Sequence, residues 1–142
     1  MQILETDLFQ LEISAMNYGP DTGTNENAWL DFKVFSDDFS AVSGWLIDLS
    51  ELALFTADMK NMAEDQEIEA RLSAKGSSGD FVCFRNEPEN RVMVNGSVSA
   101  TGNSGFRQRL EFQNDLDADV FRKYAEALFE AYSRFIEEKA EK

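Results

Sequence analysis

Alternation at period two dominates this chain and restricts it to a fold built on strands. In 8–15, Phe9, Leu11 and Ile13 share one face while Gln10, Glu12 and Ser14 share the other. The same pattern returns in 28–36, with Leu30, Phe32 and Val34 inward and Asp31 and Lys33 outward. It returns again in 39–48, with Phe39, Ala41, Trp45 and Ile47 in phase. Four more segments follow at 66–74, 80–86, 91–100 and 105–113, giving seven strands. The inward residues expected there include Ile68, Ala70, Leu72, Phe106, Leu110 and Phe112. Gly44 falls inside a strand, where a glycine marks a bulge or a close approach. Asn95-Gly96 could make a hairpin turn, but reads as a bulge because turns at 87–90 and 101–105 already bracket a ten-residue strand.

The period changes twice. Leu52, Phe55, Met59 and Met62 lie on one face of a helix that starts at Ser50 and ends near Asp65. From about Asp117 to Ala140, Val120, Phe121, Tyr124, Leu128, Ala131, Phe135 and Ile136 form a second apolar face. The order is therefore three strands, helix, four strands, helix. Strands at hairpin spacing make the sheet antiparallel, so the expected fold is α+β, one seven-strand sheet carrying two helices. At 142 residues the chain is a single domain, 1–142, and it shows neither an internal repeat nor a low-complexity tract.

Charge narrows the function. Thirteen Lys and Arg face twenty-seven Asp and Glu, a formal charge of −14. Residues 1–66 contain thirteen of the acids but only Lys33 and Lys60, a net −11 against −3 for the remainder. Such a surface repels nucleic-acid phosphates and anionic membranes. The chain has no histidine, which removes the commonest general base and metal ligand. Cys83, between Val82 and Phe84, reads as a buried small hydrophobe. Asp115, Asp117, Asp119 and Glu126 have calcium-loop spacing, but Val120 stands where the sharp turn needs glycine. The rows Glu67, Glu69, Arg71 and Arg107, Arg109, Glu111 suit cross-strand pairing on a wet sheet face. The expectation is a protein without catalytic residues, metal or cofactor. The N-terminus lacks a basic, apolar leader, which leads us to expect a cytoplasmic chain.

Trp29 lies on the polar phase of its strand with Asp31, and Asp37-Asp38 makes the following turn. With Asp21 and Glu26 in the loop 17–27, these residues make an acidic surface with an exposed aromatic, which suits binding to a basic protein. Two alternatives remain: an acidic structural or regulatory domain whose charge only solubilises, and a mimic of DNA.

Four stretches together resemble a known family: LEISAMNY (11–18), NAWLDFKVFSDDFS (27–40), ELALFTADM (51–59) and LEFQNDLD with FRKYAEAL (110–128). They are similar to the small acidic bacterial immunity proteins of wall-associated toxins, the WapI-type family. The resemblance implies a cytoplasmic inhibitor of the C-terminal toxin domain of a contact-delivered protein, often a nuclease. It implies no catalytic residues.

Overall fold

The computed structural model describes residues 2–16, 27–75, 79–101 and 105–133. The fold is α+β with antiparallel pairing throughout, but its strands form two sheets of four rather than one of seven. The first sheet runs β1 (Gln2–Glu5), β2 (Phe9–Met16), β3 (Asn27–Ser36) and β4 (Phe39–Asp48), and helix α1 (Leu49–Ala63) follows. The second runs β5 (Glu69–Ser73), β6 (Phe81–Glu87), β7 (Arg91–Thr101) and β8 (Arg107–Asp117), and helix α2 (Ala118–Tyr132) follows. Alternation reports which face a residue occupies, not which strand lies beside it. A fifteen-residue helix carries the chain about 22 Å, far enough to start a new sheet instead of another hairpin. The eighth strand, β1, has only four residues, too few for a period to register.

The architecture is thus a four-strand meander and a helix, made twice, although the sequence carries no repeat. Each helix packs on the other helix and on the first strand of the opposite sheet, α1 on β5 and α2 on β1. All of these elements share one apolar core. Phe32 stacks on Trp45 at 4.4 Å within the first sheet. Phe84 of β6 meets Phe121 of α2 at 5.2 Å and Phe55 of α1 at 6.2 Å, which joins both helices to the second sheet. Phe9 and Phe112 meet at 5.7 Å across the halves. Polar ties follow the same seam: the Ser43 hydroxyl donates to the Ser99 carbonyl at 2.8 Å, and the Asn114 amide donates to Ser36 Oγ at 2.7 Å. Asp80 is buried beside that seam, its carboxylate accepting from the Ser99 N–H and hydroxyl at 2.8 to 3.0 Å.

Neither strand glycine makes a bulge. Gly96 pairs in register with Val82 and Phe112. It is required because a Cβ there would stand 2.5 Å from the Phe81 carbonyl oxygen and 2.7 Å from the Phe112 ring. Gly44 pairs in register with Asp31. Helix α1 is capped by Asp48, not Ser50, and its carboxylate makes no capping bond because it pairs with Lys75 at 2.7 Å. Phe39, Ile68 and Phe106, expected inward, are exposed because they sit at or just beyond strand ends, past the reach of the core. The acidic and basic rows expected to cross-pair lie toward opposite edges of the second sheet, on or next to β5 and β8; Glu69 instead faces Arg85, and Arg109 faces Ser99.

Candidate functional site

Because the fold is made twice, its two outward sheet faces can be compared directly. On the second sheet the face is laced with charge. Arg85 stands between Glu69 and Met93, Arg91 bonds Asp115 at 2.8 Å, and the Arg71 guanidinium lies 4.0 Å over the Phe81 ring. Such alternation of signs is what a solvent-facing sheet carries.

The first sheet differs. Leu30, Phe32 and Val34 point into the core, which turns Trp29, Asp31, Lys33 and Phe35 outward. By register, Leu46 lies opposite Trp29, Val42 opposite Lys33, and Ile3 opposite Glu12. Ile3, Trp29, Phe35, Val42 and Leu46 are all exposed, and Trp29 presents 50% of its surface. Lys33 is the one cation these strands carry among the described residues. Five large apolar side chains thus share one open face with Glu12, Asp31 and Lys33 set among them.

Trp29 has a defined seat. Its ring packs over Gly44 of β4, 3.6 Å from where a Cβ would stand, an ordinary contact that an alanine there would also make. Asp31 is half-buried on the same face, two residues along β3 and opposite both Ser14 and Gly44. Asp37 and Asp38 form the two-residue turn joining β3 to β4, both exposed, with Asp37 at φ 55°. Asp37 lies eight residue steps along the chain from Trp29, about 26 Å of extended strand. The four residues thus lie along the length of one strand and its turn, a span that suits a protein interface rather than a small-molecule pocket. Asp21 and Glu26 lie outside the described residues. Sequence reasoning found Trp29 but missed Phe35, Val42 and Leu46. Their parity with Asp31, or against Trp45, was the available signal.

Other chemistry-bearing residues are placed differently. Cys83 is buried, and burial first, then the neighbouring Glu69 carboxylate, pushes its thiol pKa up, so it is a poor nucleophile near neutrality. Asp115 and Asp117 stand on β8 and Asp119 on α2. Asp115 pairs with Arg91, Asp117 caps α2 by accepting the Asp119 N–H, and Asp119 pairs with Arg122. They belong to a strand end and a helix start, not to a loop. No helix among the described residues is long and apolar enough to cross a membrane. Comparison of the chain with family models, curated proteins and solved structures finds no match in any of the three.

Proposed function

We propose that this chain is a non-enzymatic binding module of the immunity type, which neutralises a basic toxin domain by docking it on the outer face of the first sheet. The observation that carries this reading is the contrast between two topologically equivalent faces. One is laced with paired charges; the other exposes Trp29, Phe35, Val42, Leu46 and Ile3 beside acids. In the docked state the aromatic and aliphatic residues lose water and supply the binding energy. Asp31, Asp37 and Asp38 set approach and register against a cationic surface. The acidic bias of residues 1–66 suits a partner that must itself be basic to hold phosphates. The resemblance to WapI-type immunity proteins points the same way.

The test is to co-express the chain with the small basic C-terminal domain of any large secreted protein encoded beside its gene, scored by survival. Wild type should rescue. Trp29→Ala should raise the Kd about 30-fold, equivalent to about 2 kcal/mol, mainly through faster dissociation. Met93→Ser, on the other sheet's outer face, should leave rescue intact. Death with wild type present would remove the immunity reading; indifference to Trp29→Ala and Leu46→Ser would move the interface elsewhere.

A further inference from the structure

A sheet edge is a row of unpaired N–H and C=O groups, which proteins guard with charge, proline or shortness. Four strands stand at edges here: β1, β4, β5 and β8. Strand β8 carries Arg107, Arg109, Glu111, Asp115 and Asp117 along its length, and β5 carries Glu69 and Arg71 within five residues. Strand β1 has only four residues and lies against α2. Strand β4 has none of these guards: it runs ten residues and meets no charge or proline before Asp48. Phe39, Val42 and Leu46 are exposed along it.

The pairing shows which of its backbone groups are open. The Asp37-Asp38 turn is flanked by Ser36 and Phe39, and a two-residue turn closes on a hydrogen-bonded pair. Bonded pairs then recur at every second residue. Ala41, Ser43 and Trp45 thus bond to β3, while Val42, Gly44 and Leu46 turn their N–H and C=O groups away from it. Leu46 keeps this phase: its carbonyl accepts from the Lys75 N–H at 3.0 Å, outside the sheet. Val42 and Gly44 have no such bond among the described residues. They instead border a cleft of about 670 Å³, within the size range of binding sites. Ser99–Thr101 of β7 and Arg107 form its other wall, tied to the first by the Ser43 bond to Ser99. An open strand edge on such a cleft recognises backbone, since each peptide group that enters must find a partner.

We infer that an extended segment of the basic protein partner adds to β4 as a fifth strand of the first sheet, its backbone bonding Val42 and Gly44. This rests on the docking reading above, and names how the partner enters. The site continues the docking face: Val42 and Leu46 belong to both, Trp29 packs over Gly44, and Asp31 lies opposite it. Backbone bonds supply the affinity. Alternate side chains of the added strand lie beside Val42 and Leu46, so β-branched apolar residues suit those positions. A second copy is a poor occupant, since pairing β4 with β4 sets the net −11 of residues 1–66 against itself.

A peptide tests this without the partner. The isotope-labelled full chain is titrated with acetyl-Thr-Val-Thr-Val-Thr-Lys-amide, and with the same peptide N-methylated at every residue. NMR follows amide shifts and hydrogen exchange. In the free chain the Val42 and Gly44 amides should exchange quickly, while those of Ala41, Ser43 and Trp45 are protected. The plain peptide should shift residues 40–46 and slow exchange at Val42 and Gly44; the methylated one should do neither. Val42→Pro deletes one edge donor without touching a β3 bond, and should weaken binding about tenfold, the scale of one backbone hydrogen bond. Should that variant unfold, the methylated peptide decides alone. Val42 and Gly44 protected in the free chain, shifts elsewhere or none, or equal binding of both peptides would overturn strand addition. So would protection that grows with protein concentration, which assigns the edge to a second copy. The survival assay answers separately. Rescue with an indifferent peptide keeps the docking face and removes the added strand, and a bound peptide without rescue removes the toxin and keeps the strand.

Discussion

Asp58 on α1 shows how a single carboxylate is set by its surroundings. Partial burial first, and the nearby Glu67 charge second, raise its pKa above the ordinary range. The folded state therefore holds the Asp58 proton more tightly than the unfolded chain does. Above the unfolded pKa, about 3.9, the ionised group destabilises the fold; below it that penalty disappears. Asp58→Asn should raise Tm at pH 7, and the gain should shrink as pH falls toward 4, measured by thermal melts across that range. A gain that persists below pH 4 would assign the effect to something other than ionisation. Individual residues also mark how far sequence reading reaches. Phe9, Leu11, Ile13, Leu30, Phe32, Val34, Trp45 and Ile47 are buried as their alternation requires, because a sheet with one dry face enforces parity at every mid-strand position. Phe39, Ile68 and Phe106 obey the same parity yet are exposed, because parity does not record where the core stops. Trp29 was legible as exposed because it broke phase with its apolar neighbours.

The elements depend on contacts that no local pattern carries. Helix α2 is amphipathic, and Phe121, Tyr124, Ala125, Leu128 and Tyr132 face inward along it. What fixes its far end is a bond to a different sheet: the Ala15 N–H donates to the Tyr132 hydroxyl at 3.1 Å, beyond the last β1–β2 pair at Gln2 and Ile13. Tyr132→Phe removes that acceptor and should cost about 1–2 kcal/mol in denaturant unfolding. The loss should appear as faster hydrogen exchange at the Ala15 end of β2. An unchanged exchange rate there would mean that α2 does not hold this strand. The same logic explains why two sheets were read as one. Every strand from β2 onward was visible in the sequence, but the partition follows from where α1 sends the chain and from cross-half contacts such as Phe9 with Phe112. Contacts more than a hundred residues apart leave no trace in a period of two.

At the scale of the whole molecule, net charge opposes compactness. Most of the excess lies in the first half, where thirteen acids meet two lysines. Salt screens such repulsion over about 10 Å at 0.1 M, so Tm should rise between low and moderate NaCl. A flat or falling Tm would mean that the acids are already compensated within the fold. The exchange of helices between the halves has a separate consequence. Since α1 rests on β5 and α2 on β1, each meander and its own helix form an unfinished body whose apolar surface is completed only by the other. The turn after α1, closed by the Asp65 N–H on the Met62 carbonyl and the Gln66 N–H on the Asn61 carbonyl, links them covalently and adds proximity to those local bonds. A chain cut between Asp65 and Gln66 should therefore behave as two fragments, each unfolded alone, that regain native circular dichroism and Trp45 fluorescence when mixed. In effect the molecule is an obligate heterodimer written on one chain, and its stability should become concentration-dependent once the link is severed.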